Sequence, residues 1–222
     1  MVGLQILKRQ RQVDAQYIQA FAEIPVANIS DVMTRMTAGG PRLRPFHKGA
    51  RLGGPALTVK ARPGDNLMIH KALDMAQPGD VIVVDAGGDL TNSLFGEIMV
   101  SYAMKRQLGG AVFNGAIRDV DFIGEHDFPI YAAGVTHRGP YKDGPGEINV
   151  PVAIDGMVIE PGDLILGDGD GILCVPYDAT AQVLAAAIEK QKVEGREIGA
   201  ASRAALDRAW VDARLRQLGC EM

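Results

Sequence analysis

Glu97 and, separated from it by twenty residues, the adjacent pair Arg118-Asp119 are the residues whose types and spacing could do chemistry. An ionised carboxylate is a hard-cation ligand or a proton acceptor. A guanidinium offers a planar fork that matches a carboxylate edge. Glu97 follows Gly96 near the start of an expected helix, whose first N–H groups, here Ile98 and Met99, suit an anion. Arg118-Asp119 leaves the strand that this helix feeds, and ligand sites in such sheets collect at the carboxyl ends of strands. The same pair also reads as a surface ion pair of little energetic weight.

Other chemistries lack their residues. No Gly-x-Ser-x-Gly elbow occurs, and neither cysteine, Cys174 or Cys220, has a histidine close in sequence. No phosphate loop of the G-x-x-x-x-G-K-[ST] type is present, and Gly87-Gly88 lacks the continuation of a dinucleotide or nucleoside loop. His47, His70, His126 and His137 show no metal-ligand spacing and read as surface or hydrogen-bonded histidines. Asp168-Gly-Asp-Gly lacks the later ligands of a calcium loop and reads as a hairpin turn.

The elements that must position the three charged residues lie in 81–119. Val81-Ile-Val-Val-Asp85 is continuously apolar, as expected of a strand buried on both faces. A helix follows over 94–108, with Phe95, Ile98, Met99 and Tyr102 expected on one buried face. Ala111-Val-Phe-Asn114 is the next strand, so the unit predicts parallel pairing through a right-handed crossover. Helices are also expected over 14–23, from a cap at Asn28 or Ser30, over 66–75, and from a cap at Asp178. Gly195 and Gly199 weaken that last helix mid-course and predict two helical segments rather than one. Strands are expected over 51–61, 128–133, 150–154, 157–159 and as a hairpin over 164–175. Pro78-Gly-Asp80 and Pro161-Gly-Asp163 echo each other, which shared turn chemistry explains.

The chain has 222 residues, 47% hydrophobic and 23% charged, enough for one core and too apolar for wholesale disorder. Its formal net charge of −4 argues against a nucleic-acid partner. No apolar run approaches the roughly 18 residues of a membrane span, and the first residues do not read as a signal peptide. Two cysteines make no disulfide scaffold, so a cytoplasmic setting is the expectation.

Glu97-x20-Arg118-Asp119 resembles the (Asp/Glu)-x20-Arg-Asp signature of the class II pyruvate aldolases that act on 4-hydroxy-4-methyl-2-oxoglutarate or 4-carboxy-4-hydroxy-2-oxoadipate, homologues of the regulator of ribonuclease activity A. The likeness extends over Ile29-Ser-Asp-Val, Gly54-Pro-Ala-Leu-Thr-Val59, Pro78-Gly-Asp80, Asn114-Gly-Ala-Ile-Arg-Asp119 and Val158-Ile-Glu-Pro-Gly-Asp-Leu164. The resemblance implies an α/β fold, a three-layer ββα sandwich of the swivelling-domain type over 1–177 with a C-terminal helical tail over 178–222 at a subunit interface. It also implies a homotrimer or homohexamer.

By position, the resemblance makes Asp119 the sole protein ligand of Mg²⁺, or of Mn²⁺ or another divalent cation, with water completing the shell. Arg118 would bind the keto oxygen and carboxylate of a 2-oxo acid. The backbone at Gly96, Ile98 and Met99 would hold the carboxylate, and Glu97 would orient water or act as base. Glu194, or else Glu197, would arrive from a neighbouring subunit's tail. The implied activity is cleavage to pyruvate through an enolate, with oxaloacetate decarboxylation as a companion. A non-catalytic ribonuclease-binding module is the alternative that the same resemblance carries.

Overall fold

The computed structural model describes residues 3–35 and 39–222; Met1 and Val2, which open the stretch read as no signal peptide, lie outside them. The chain runs β1 (Leu4–Ile6), α1 (Ala15–Phe21), α2 (Val26–Val32), β2 (Arg44–Pro45), β3 (Leu52–Ala61), α3 (Leu67–Met75) and β4 (Val81–Asp85). It continues through α4 (Glu97–Lys105), β5 (Gly110–Ile117), α5 (Val120–Gly124), β6 (Ile130–Val135), β7 (Gly146–Ile148), β8 (Val152–Ile154) and β9 (Met157–Ile159). β10 (Leu164–Asp168), β11 (Gly171–Val175), α6 (Thr180–Ala201) and α7 (Ala209–Gln217) complete it.

The main sheet has the order β1-β7-β3-β4-β5-β6-β2, with β3, β4, β5 and β6 parallel. β3 is long enough to serve two sheets. Its Leu52–Pro55 half pairs antiparallel with β10, and its later half pairs with β4 and β7. The apolar run of β4 is buried on both faces, as its composition predicts. Ile82 and Val84 join Ile69, Leu73, Val100 and Phe113 beneath α3, α4 and α5. Val81 and Val83 point the other way, into a core shared with β8, β9, Ile165 and Ile172. The α/β ββα sandwich therefore holds. The outer face of β10 and β11 is itself covered, because Leu164, Leu166, Leu173 and Val175 pack with Phe21, Ile29 and Ala187 of α1, α2 and α6.

Three local expectations change. α2 begins after Pro25, which places Asn28 and Ser30 inside the helix. Its first N–H, from Val26, is held by Asp168 Oδ2 at 2.9 Å, so a residue distant in sequence does the capping. Asp178 does not cap α6 either; its carboxylate pairs with Arg11 at 2.8 Å. The tail does form two helical segments, α6 and α7, but the break falls at 202–208, and α6 runs through Gly195 and Gly199 to Ala201. A glycine costs a helix only about 1 kcal/mol. The packing of Leu184, Ala187 and Ile188 and the Lys190–Glu194 pair at 2.9 Å carry the helix across.

The echoed turns do share one chemistry. Gly79 and Gly162 take φ of +85° and +93°. In each turn the aspartate accepts from the backbone N–H three residues earlier, Gln77 for Asp80 and Glu160 for Asp163, both at 2.9 Å. No helix among the described residues is long and apolar enough to cross a membrane.

Candidate functional site

The sheet brings Glu97, Arg118 and Asp119 together at the carboxyl ends of β4 and β5. Residues 93–97 are fastened to β5 by two backbone bonds, Leu94 N–H to Ala116 O at 2.8 Å and Arg118 N–H to Phe95 O at 3.0 Å. Asp119 then turns back on that segment, and its Oδ2 accepts the Glu97 N–H at 2.8 Å. The Arg118 Nε lies 3.6 Å from the same oxygen. Asp119 adopts φ 58° and ψ 40°, a left-handed conformation that aspartate tolerates better than most residues. Strain of this kind costs on the order of 1–3 kcal/mol and persists where surrounding structure over-determines it. Gly96 makes the approach possible, since a Cβ there would collide with Asp119 Oδ2.

The three residues line a pocket of about 300 Å³, walled by Asn66, His70, Ser93, Leu94, Pro140 and Lys142 as well as 95–99. A larger cleft of about 390 Å³ lies beside His47 and Tyr131. There the His47 ring meets the Ile130 and Ala50 carbonyls and the Tyr131 hydroxyl donates to Asp168 O at 2.8 Å, so its polar groups are engaged in holding the fold. Burial pushes the Tyr131 phenol well above its ordinary value, which keeps it a neutral donor.

The helix start is narrower as an anion site than the spacing suggests. Glu97 N–H goes to Asp119, and Met99 N–H returns to Gly96 O at 3.0 Å. Ile98 N–H has no acceptor among the described residues. The buried stripe of α4 is also rotated. Phe95 leaves the helix to stack on Phe113, with ring centroids 4.8 Å apart. Met99, Val100 and Ala103 form the buried face, while Ile98 is 82% exposed and Tyr102 also faces outward. The bond from Arg118 N–H to Phe95 O delays helix entry until Gly96, and i, i+3, i+4, i+7 then counts from that glycine.

Glu194 does not line this pocket in its own chain; its carboxylate meets Lys190 on the same helix. Glu197 is exposed on α6. Asn66, His70, Ser93, Pro140 and Lys142 are wall residues that sequence reasoning missed. Asn66 and His70, four apart on one helix face, are the only local signal among them. Burial, with Lys142 nearby, lowers the His70 pKa below the ordinary histidine value.

The donors at the site are hard oxygens. No group of three or more His, Cys, Asp or Glu among the described residues could hold a metal ion by itself. A magnesium-type cation, which keeps most of its waters, needs only one or two carboxylates. Asp119 fits this, because its Oδ1 has no partner among the described residues and its side chain is 38% exposed. Glu97 adds a second exposed carboxylate beside it, in no ion pair among the described residues.

Residues 26–174 match the RraA-like family, described as Aldolase/RraA. A relative from Halalkalibacterium halodurans, named as a candidate 4-hydroxy-4-methyl-2-oxoglutarate aldolase, is 39% identical over 180 residues, 81% of this chain and 86% of its own. An uncharacterised protein from Pseudomonas syringae pv. tomato superposes with a TM-score of 0.77 at 27% identity, over 86% of this chain and 94% of its own. The RNA-processing inhibitor RraA from Thermus thermophilis superposes with a TM-score of 0.65 at 30% identity, over 69% and 93%.

Proposed function

Given that the chain belongs to the RraA-like family of aldolase and RraA proteins, we propose that it is a divalent-metal-dependent lyase. In this reading it cleaves 4-hydroxy-4-substituted 2-oxo dicarboxylic acids to pyruvate and a second keto acid, and decarboxylates oxaloacetate as a side reaction. One observation carries the proposal: the Glu97 N–H to Asp119 Oδ2 bond of 2.8 Å, with Arg118 alongside, gathers all three groups in one pocket. That arrangement suits a reaction in which negative charge develops on a keto oxygen.

Asp119 is the residue that would hold a divalent cation, Mg²⁺ by the oxygen chemistry of the donors. When bound, such a cation supplies Lewis-acid stabilisation of the 2-oxo acid's developing oxyanion. Arg118 grips the keto oxygen and carboxylate edge with its planar fork. The Ile98 N–H, without an acceptor among the described residues, adds one donor to that carboxylate. Glu97 accepts the proton of the C4 hydroxyl. As that O–H electron pair becomes the new C4 carbonyl, the C3–C4 bond breaks and its electrons form the enolate of pyruvate. A proton from water then reaches C3 and releases pyruvate, and Glu97 returns its proton to the solvent, which restores the starting state.

We also propose that the protein assembles as a homotrimer or homohexamer. Val193, Ile198, Trp210 and Leu218 of the tail are exposed apolar residues, the kind of surface a neighbouring copy covers. A neighbour's tail would then supply Glu194 or Glu197 to the site.

The test is release of pyruvate from 4-hydroxy-4-methyl-2-oxoglutarate and from oxaloacetate by purified protein with Mg²⁺. Activity should disappear with EDTA and return on adding Mg²⁺. Absence of pyruvate from both substrates would sink the lyase reading. The structural likeness to the RNA-processing inhibitor RraA supports a rival, a ribonuclease-docking module. Capture of a ribonuclease that survives Asp119→Ala, together with no turnover, would favour that rival.

A further inference from the structure

The pocket has a second wall that the lyase reading leaves unused. It consists of His70 on α3 and Lys142 on the loop before β7, facing the same space as Arg118 and Asp119. Lys142 forms no ion pair among the described residues.

Its backbone is held on both sides by residues 64–66 at the start of α3. Asp65, 1% exposed, accepts from Asp143 N–H at 2.7 Å, Gly144 N–H at 2.9 Å and Leu67 N–H at 2.9 Å. Tyr141 N–H donates to Gly64 O at 2.8 Å, and Asn66 N–H donates to Tyr141 O at 3.0 Å. Asn66 also reaches across to the opposite wall, its Nδ2 donating to Leu94 O at 3.0 Å. A loop fixed at residues 141, 143 and 144 holds the lysine between them in place, which lowers the cost of using it for recognition. Buried carboxylates and amides tie both walls into one frame, so the span between Arg118 and Lys142 is set by the fold.

We infer that Lys142, with His70 beside it, is an anion subsite that receives the distal carboxylate of a 2-oxo dicarboxylic acid. This rests on the lyase reading for the placement of the keto end on Arg118. Charge supports it independently. Arg118 and Lys142 balance Glu97 and Asp119 in the lining, so a divalent cation would leave two positive charges for the ligand. A dicarboxylate cancels both and a monocarboxylate only one. His70 adds a hydrogen-bond donor beside the ammonium without adding charge.

Calorimetric binding in the presence of Mg²⁺ tests this with two ligands that cannot be cleaved, 2-oxoglutarate and 2-oxopentanoate. They share the keto-acid end and the chain length and differ in the distal carboxylate. The wild-type protein should bind 2-oxoglutarate about tenfold more tightly. Lys142→Gln should remove that preference and leave 2-oxopentanoate unchanged, while Lys142→Arg keeps most of it. Arg118→Ala should weaken both ligands alike. No wild-type preference, or a Lys142→Gln variant that weakens both ligands equally, would overturn the subsite. A preference that depends on Lys142 in a protein releasing no pyruvate would keep the subsite and discard the lyase. Pyruvate release without such a preference would do the reverse.

Discussion

Asp65 and Asp119 stand on opposite walls of one pocket's frame and use their carboxylates in opposite ways. Asp65 is 1% exposed, and its two oxygens accept three backbone N–H groups, with Arg62 Nη2 3.4 Å away. Among the described residues Asp119 accepts one backbone N–H, lies beside one guanidinium and leaves Oδ1 open. The first is saturated and rigidifies a loop. The second has capacity left for a ligand, and it sits in a strained left-handed backbone that only neighbouring bonds sustain. Unused hydrogen-bonding capacity, more than residue type, separates a framework aspartate from a working one.

That contrast breaks most sharply at Asp119. Asp119→Ala should reduce pyruvate release by about 10³-fold or more, about 4 kcal/mol of transition-state stabilisation. The thermal midpoint should fall by only a few degrees, from the lost Glu97 N–H bond and alanine's poorer fit to the left-handed backbone, and a much larger fall would show that Asp119 too is framework. Arg118→Lys should cost about 10²-fold in kcat/KM, since a point charge replaces the fork; near-normal kinetics would remove the guanidinium from the mechanism.

At Asp65 the expected effect lies in stability. Asp65→Asn turns one accepting oxygen into a donor facing backbone N–H groups, a loss of about 2 kcal/mol read by urea denaturation. Unchanged stability would mean that the loop is held by other contacts.

The smallest effect concerns His70. Its folded pKa is lowered, so the unfolded chain binds the proton more readily. Stability from this group is present above the unfolded value near 6.5 and is lost as pH falls through the lower folded value. Urea midpoints measured across that window should decline on acidification, and His70→Gln should flatten the decline.

Much of the frame was legible in the residues. The β4 run, the parallel β4–β5 pairing, the β10–β11 hairpin and the Pro-Gly-Asp turns follow from local pattern, because each is decided by neighbours a few residues away. The burial face of α4 was misread. Periodicity determines a stripe only once the first helical residue is known, and here the bond from Arg118 N–H to Phe95 O sets it. Likewise the break between the two tail helices falls at 202–208 and not at the glycines, whose helical cost is small.

By itself the sequence determined which residue types were available and that Glu97, Arg118 and Asp119 would reach one edge of a parallel sheet, since crossover geometry is local and handed. Only the tertiary structure decided which donors remain free. Met99 N–H is engaged, Ile98 N–H has no acceptor among the described residues, Asp65 is saturated and Lys142 shares the pocket with Arg118. The physical reason is that hydrogen-bond satisfaction and pocket walls are set by partners far apart in the chain, such as Asp65 with Asp143 and Glu97 with Asp119, and no short spacing encodes them.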